Sequence, residues 1–324
     1  MIDKAQVSTV TPRTASRSRR IAWAIAALLA IGFGAVWHFG LVGLALHASA
    51  MLGASDERKD KNLWLPYYTA TIDALQIEGL SDNVSGLTFN AETGTLFTVV
   101  NRPPEIVELS PEGAVLRRIR LRGAADTEGI AHVAGNRFIV IDEKKNRFIW
   151  IDIDPEASEI DIGAAPFFTL DIETFPNMGL EGVSWDQRNA NLILTKEMWP
   201  IKVLIVSGLD KAMEGEGLGI TVKEWHPDLL TGHASGDLSS VTVHDPTGNI
   251  VLLSDLTSVV TEYSSEGEAI SLLPLWGGWS GLRESIPQAE GVAIGSDGAI
   301  YIVSEPNLFY RFERKERASW ATAP

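Results

Sequence analysis

The chain has 324 residues, 45% of them apolar, which is enough to bury a core in one or two domains. It contains no cysteine, which excludes disulfides and thiolate-bound metals. Its net charge of −15 divides into +4 over residues 1–20 and −19 from residue 63 onward, and so acidic a domain repels phosphate, which argues against a nucleic-acid partner.

The first predicted element is a membrane anchor. Residues 21–55 contain no Asp, Glu, Lys or Arg, and the apolar run exceeds the roughly 20 residues that a helix needs to cross a bilayer. Arg17, Arg19 and Arg20 precede this run, so we expect the N-terminus in the cytoplasm and the rest of the chain in the periplasm, anchored in the inner membrane. The alternative is a signal peptide cleaved after Ala50, although such peptides have only about 7–15 apolar residues.

A short motif then recurs five times, and each copy is followed 15 or 16 residues later by a second polar residue. The first positions are Ser85, Glu128, Glu181, Ser239 and Glu290. The second positions are Asn101, Glu143, Glu197, Asp255 and Glu305. Successive copies lie 43, 53, 58 and 51 residues apart, which is typical of a repeat built from four strands.

Each repeat reads as short strands separated by Gly, Pro, Asn and Asp. The first contains the runs Val84–Phe89, Thr95–Val100, Glu105–Leu109 and Val115–Leu121. The last repeat has only three strands, and the orphan run Tyr67–Ile77 can complete it and remove an exposed edge. The sequence therefore predicts an all-β, five-bladed β-propeller preceded by one N-terminal transmembrane helix.

The predicted organisation has five parts, and we expect the propeller to fold without the residues before it. They are a basic cytoplasmic tail (1–20), a transmembrane signal-anchor (21–50), a linker (51–63), the propeller (64–314) and a polar tail (315–324).

Several segments resemble the SdiA-regulated family of membrane-anchored bacterial propellers, which is distantly similar to NHL-repeat proteins. The segments are Thr69–Asp73, Leu180–Val183, Gln288–Ala293, Ala299–Asn307 and Phe309–Phe312. The resemblance covers about residues 65–313. It implies a five-bladed propeller with a calcium site near its axis, and it implies no particular chemistry.

Both columns of polar residues are expected at one mouth of the central channel. In a propeller blade the start of the innermost strand and the end of its neighbour share a rim, about 5 Å apart. Carboxylates this close repel each other unless a cation or shared protons intervene, and calcium, which takes 6–8 oxygen ligands, suits the site better than magnesium. The predicted metal ligands are Glu128, Glu181, Glu290, Glu305, Glu197 and Glu143. Further oxygens come from Ser85, Ser239, Asn83, Asp126, Asp237 and Gln288.

A structural interpretation of the motif stays open. Glycine lets backbones crowd near the axis, and glutamate would then cap edge amides. Glu143 and Glu197 stand beside lysines, so surface salt bridges explain them equally well. His132 is expected to be a buried histidine rather than a catalytic one, and the loop from Trp276 to Trp279 is either a ligand-binding lip or a packed connection.

Two functions fit these observations. The first is a calcium-binding extracytoplasmic module that binds an unknown small-molecule or protein ligand at the propeller rim. The alternative is a calcium-dependent hydrolase of a lactone or phosphoester, in which the metal acts as a Lewis acid. An open metal position beside a general base would distinguish the second from the first.

Overall fold

The computed structural model describes residues 17–38, 41–170, 179–197, 201–215, 217, 219–227 and 236–315. Residues 1–16 of the predicted basic tail and residues 316–324 of the predicted polar tail lie outside this set. The chain divides into two compact units, Met1–His38 and Phe39–Pro324.

The first unit contains one helix, α1 (Arg17–His38). Its large apolar side chains are exposed to solvent, including Ile21, Leu28 and Ile31. A second helix, α2 (Leu41–Met51), belongs to the other unit, so the predicted anchor over residues 21–50 covers parts of both units. Within the described ranges, no helix is long and apolar enough to cross a membrane.

The second unit is built from strands, numbered here in chain order. They are β1 (Tyr68–Gln76), β2 (Val84–Asn90), β3 (Thr95–Asn101), β4 (Pro104–Leu109), β5 (Val115–Arg122), β6 (Thr127–Ala134), β7 (Arg137–Asp142), β8 (Arg147–Asp152), β9 (Glu159–Asp161), β10 (Phe167–Thr169), β11 (Leu180–Asp186), β12 (Asn191–Lys196), β13 (Lys202–Ser207), β14 (Thr221–Trp225), β15 (Ser240–His244), β16 (Asn249–Ser254), β17 (Val259–Tyr263), β18 (Ala269–Pro274), β19 (Ala289–Ile294), β20 (Ile300–Ser304) and β21 (Leu308–Arg314). Short helices are α3 (Asp56–Asp60), α4 (Leu209–Met213) and two 3-10 turns, Leu65–Tyr67 and Glu143–Lys145.

These strands form five separate sheets, which confirms the predicted five-bladed propeller. The sheets are β2-β3-β4-β5-β9, β6-β7-β8-β10, β11-β12-β13-β14, β15-β16-β17-β18 and β19-β20-β21-β1, called blades 1 to 5. Within the blades the pairing is antiparallel, except that β9 adds to β5 of blade 1 in parallel. This fifth strand comes from the connection after β8, and no turn signal in the sequence predicts it.

The predicted closure of the ring by the segment before the first repeat is confirmed. β1 pairs antiparallel with β21, from Tyr68 opposite Arg314 to Gln76 opposite Leu308. The first segment of the domain therefore supplies the outermost strand of blade 5 and covers the edge that β21 would otherwise expose.

The core lies between neighbouring blades. The innermost strands contact each other in the cyclic order β2, β6, β11, β15 and β19, with β19 returning to β2. One apolar cluster joins Phe97 and Ile106 of blade 1 to Phe138 and Ile149 of blade 2. Each blade is thus apolar on both faces, which accounts for continuous buried runs such as all six residues of β16.

The residues before β1 are bonded to blade 4 rather than forming a free linker. His47 of α2 is fully buried, and its Nε2 lies 2.8 Å from the carbonyl oxygen of Ser271. Arg58 of α3 donates to the carbonyl oxygen of Ala269 at 2.7 Å. The fully buried carboxylate of Glu262 accepts hydrogen bonds from the backbone amides of Leu63 and Trp64 and from the side chains of Asn249 and Ser271.

Candidate metal centre

The two columns of polar residues share one rim of the propeller. In four blades the backbone amide of the second-column residue donates to the carbonyl two residues before the first-column residue. The pairs are Asn101 to Asn83 (3.4 Å), Glu143 to Asp126 (2.9 Å), Glu197 to Gly179 (3.4 Å) and Glu305 to Gln288 (3.0 Å). Every blade presents its innermost strand in the same direction, so these pairs all lie at the mouth where the innermost strands begin.

The three inner glutamates each occupy a break in strand register that the sequence did not reveal. In blade 2, Thr127 is opposite Asp142 and Gly129 is opposite Ile141, which leaves Glu128 as the extra residue of a β-bulge. Glu181 and Glu290 are extra residues in the same way. A bulge bends the strand and redirects the side chain, which places these glutamates at the mouth rather than between blades.

The glycine of each motif serves the close approach of neighbouring strands. A Cβ on Gly86 would lie 2.7 Å from the carbonyl oxygen of Glu128, and Gly86 also has a positive φ of +49°. A Cβ on Gly129 would overlap the carbonyl oxygen of Glu181. The structural interpretation is therefore correct for the glycines. Among the glutamates it also accounts for Glu143, whose Oε1 accepts the backbone amide of Gly179 at 2.9 Å, but not for the three glutamates of the first column.

The tightest group of carboxylates belongs to blade 2. One oxygen each of Asp126, Glu128 and Glu143 can be chosen so that all lie within 4.8 Å of one another. The pKa of Glu128 is raised to about 7, mainly by burial and also by the charges of Asp126 and Glu143, while hydrogen bonds from Asn101 and Ser85 oppose the rise. Asn101 donates its Nδ2 to Glu128 at 3.0 Å, which explains the amide in the second column.

A second pair lies in blade 3. The carboxyl groups of Glu181 and Glu197 are hydrogen-bonded to each other, which requires a shared proton. Burial raises the pKa of both groups, and the charges of Glu290 and Glu128 add to the effect on Glu181. The glutamate side chains of blades 2, 3 and 5 therefore interact with one another through their charges.

Blade 5 contributes the third inner glutamate. The pKa of Glu290 is raised to about 8. Burial is the largest cause, and the charges of Asp255, Glu305, Glu128 and Glu197 add to it. The pKa of Glu305 is also raised, first by burial and then by Asp82 and Asp255. All six glutamates predicted as metal ligands are half-buried.

Burial lowers the pKa of Lys196 and the charge of Glu197 raises it, so this lysine interacts with one of the six glutamates. The salt bridges within the described ranges include none to the six glutamates. Lys145 lies 3.4 Å from Asp142 and donates to the carbonyl oxygen of Gly123, so it does not pair with Glu143. The predicted alternative of a surface salt bridge at Glu143 is therefore wrong.

The two serines of the first column have a structural role. Ser85 donates to the carbonyl oxygen of Glu128 at 2.9 Å, and Ser239 donates to that of Ala289 at 2.6 Å, each in the next blade. Asp237 accepts hydrogen bonds from the backbone amide of Leu256 and the hydroxyl of Ser254. Blade 4 thus contributes a hydrogen-bonded Asp237 and, in the second column, the half-buried Asp255, where blades 2, 3 and 5 carry glutamates.

The donor set suits a hard cation. Its atoms are all oxygens, and several carboxyl groups are held partly out of water. The side-chain oxygen of Asn101 is buried and has no hydrogen-bond partner among the described residues. Six to eight oxygens without a fixed geometry match the preference of calcium better than the strict octahedron of magnesium.

Two other predicted residues have roles away from this centre. His132 is 8% exposed, and its Nε2 lies 2.9 Å from the carbonyl oxygen of Gly135, as expected for a buried, satisfied histidine. Trp276 donates to the carbonyl oxygen of Thr257 at 3.0 Å, whereas Trp279 is 58% exposed. The loop is therefore packed at its first tryptophan and open at its second.

Comparison with known proteins adds a family and several solved structures. The profile of the family described as SdiA-regulated matches residues 60–313. A luciferin-regenerating enzyme is 15% identical, with 75% of this chain and 95% of that chain covered and a TM-score of 0.48. Virginiamycin B lyase from Staphylococcus aureus is 11% identical, with coverages of 76% and 74% and a TM-score of 0.39. The WD40 propeller domain of Doa1 is 14% identical, with coverages of 77% and 98% and a TM-score of 0.44.

Proposed function

This chain belongs to the SdiA-regulated family, and from that premise we propose that it is a calcium-binding propeller whose acidic mouth holds one ion and presents it to a ligand. The observation that supports this most is the set of half-buried glutamates at the bulges, which have raised pKa values and form no salt bridge with any residue that the structure describes. A divalent cation removes the repulsion between the carboxylates while they stay ionised, whereas protons remove it by converting them to neutral carboxylic acids.

The ion would be held by residues from three blades. Asp126, Glu128 and Glu143 supply oxygens close enough to share one ion. The charges of Glu181 and Glu290 act on one another and on Glu128, so these two glutamates would either complete the coordination of the ion or balance its positive charge. An ion at this position carries a positive charge at the channel mouth and would attract an oxygen of a small-molecule or protein ligand.

Direct binding of calcium tests this proposal. Calorimetric titration of the metal-free protein should give saturable binding of about one ion, and magnesium should bind at least about tenfold more weakly. Glu128→Gln should weaken calcium binding by at least about tenfold, because it removes a charged ligand. The matched control is Glu78→Gln, which changes an exposed acid and should bind calcium as the wild type does. Absence of calcium binding by the wild type would refute the proposal.

The pair Glu181 and Glu197 favours a second candidate, calcium-dependent hydrolysis of a lactone or phosphoester. Two carboxyl groups that share a proton beside a metal are suited to general acid and base roles. The ion would polarise the substrate oxygen, while the pair would move protons. Hydrolysis of aryl lactones or phosphoesters that calcium supports and Glu197→Gln abolishes would favour the enzyme, and calcium binding without turnover would favour the binding module.

For location, we propose that residues 21–38 attach the propeller to the inner membrane with the propeller in the periplasm. The support is the absence of charge over this segment and the exposure of the apolar side chains of α1. A reporter enzyme fused after Pro324 should be active only if it is exported. Activity of a cytoplasm-restricted reporter at the same position would contradict this topology.

A further inference from the structure

The propeller has a cavity of about 600 Å³ at the mouth opposite the glutamates. It is lined in all five blades by the last residues of the innermost strand, and in blades 1, 3, 4 and 5 also by the hairpin that follows. Since strands rise about 3.3 Å per residue, a seven-residue inner strand separates this cavity from the acidic rim by roughly 20 Å. The two mouths are therefore separate places for ligands.

The lining of this cavity is negative. It includes Glu92, Asp245 and Asp297 and contains no Lys or Arg. Two of the three acids have polar partners: Glu92 accepts from the amide of Gly135 at 2.6 Å, and Asp297 lies 3.3 Å from Arg311. Asp245 is exposed and makes no hydrogen bond or ion pair within the described residues. Desolvation and the charge of Asp186 raise the pKa of Asp245, and the charge of Arg188 lowers it.

The two histidines in the lining do not offset this charge. Burial lowers the pKa of His244 to about 4 and also lowers the pKa of His132, so both rings are neutral near pH 7. His244 is held through its Nδ1, 2.8 Å from the hydroxyl of Thr247. Its other ring nitrogen has no hydrogen-bond partner in the described part of the chain.

Two aromatic rings contribute to the same cavity. Phe89 stacks on Tyr301, with centroids 6.3 Å apart and planes 2° apart, and remains half-buried. Trp185 packs edge-to-face against Trp150 at 5.9 Å and is 8% exposed. Because neighbouring side chains hold both rings, an incoming ligand meets preformed apolar walls.

We propose that this second mouth binds a small organic ammonium ion, with its charged nitrogen beside Asp245 and its carbon skeleton against Phe89 and Trp185. Carboxylates together with aromatic rings recognise such cations through Coulomb attraction and cation–π contact. A volume of about 600 Å³ lies within the usual range for small-molecule sites. This site is independent of the proposed metal centre, since it uses none of the same residues.

The test is calorimetric titration of the purified full-length chain with phenethylamine and with 1,4-diaminobutane. The neutral probes phenethyl alcohol and glucose have no ammonium group. We expect saturable binding of at least one amine, at least tenfold weaker binding of both neutral probes, and weaker amine binding as salt rises. Failure of both amines to bind, or binding of the alcohol or glucose as tight as that of the amines, would overturn the proposal.

Amine binding by single-residue variants tests whether the ammonium group lies beside Asp245. Asp245→Asn should weaken amine binding at least tenfold, whereas the exposed control Asp154→Asn should leave it unchanged. If Asp245→Asn does not melt cooperatively, Asp297→Asn is measured instead, with a loss of at least threefold expected. Glu181→Gln at the other mouth should bind amines as the wild type does, so the proposals for the two sites can be refuted independently. Unchanged amine binding by a folded Asp245→Asn variant would contradict the placement.

Discussion

Glu128 and Glu290 are half-buried acids, and burial destabilises their ionised forms. The stability of the metal-free protein therefore depends on pH. Their pKa values of about 7 and about 8 lie above the usual value for glutamate, so the folded state favours their protonated forms. The resulting stabilisation is fully present below pH 4.5 and is lost as pH rises through 7 and 8.

We therefore predict that, in the presence of a chelator, the melting temperature falls between pH 5 and pH 8. Saturating calcium should make this fall smaller, because the ion binds the deprotonated carboxylates. Glu290→Gln should show a flatter pH profile in chelator than the wild type, since it cannot ionise. Parallel profiles for the variant and the wild type would mean that Glu290 does not titrate in this range.

A second prediction at this scale concerns the glycine of the motif. Gly129→Ala should destabilise the protein by about 2 kcal/mol or more, because the added methyl overlaps the backbone of the next blade. Gly219→Ala is the matched control, since nothing lies near its added Cβ, and it should change stability by less than about 0.5 kcal/mol. Urea unfolding of both variants measures the difference, and equal stabilities would contradict the close approach.

At the scale of elements, the residues before β1 stabilise blade 4. Arg58 and Asn62 are bonded to this blade, His47 is buried against it, and Glu262 accepts the backbone amides of Leu63 and Trp64. A buried carboxylate needs such donors, because its charge is otherwise unsatisfied. That the propeller folds without residues 1–62 stays a prediction, and these contacts indicate that the shortened domain is less stable.

We predict that a chain starting at residue 39 melts as the full chain does, whereas a chain starting at residue 63 melts at least about 4 °C lower. For a domain of this size, 1 kcal/mol corresponds to roughly 2–4 °C, and the second truncation removes several buried hydrogen bonds. The first truncation serves as the control. Equal melting temperatures for the two truncated chains would show that α2 and α3 contribute nothing to stability.

The sequence predicted the blades well because each has a local signal. Strand runs, turn residues and the spacing of the two columns follow from neighbouring residues, and the unpaired segment Tyr67–Ile77 had one obvious place. The bulge at Glu128 is a single-residue shift against the partner strand, so it depends on pairing that no local pattern encodes. The parallel addition of β9 and the burial of His47 likewise depend on contacts distant in sequence.

At the scale of the propeller, two properties follow from ring closure. All inner strands begin at one mouth, so polar positions that are acidic in most repeats become a converging set of carboxylates. All inner strands end at the other mouth, so the hairpins there enclose one cavity. A repeat with different residues at its two ends thus builds two different sites on one axis, and the sequence revealed the first because its residues recur at a fixed spacing.

The measurement that tests the metal centre most directly is the melting temperature of the whole protein with calcium and with chelator. Calcium that binds only the folded state should stabilise it by about 2.7 kcal/mol at a hundredfold excess over the dissociation constant. Glu181→Gln should lose most of this shift while its metal-free form is no less stable than the wild type, and Glu78→Gln should behave as the wild type. If calcium and chelator leave the melting of the wild type unchanged, the glutamates at the bulges do not form a calcium site.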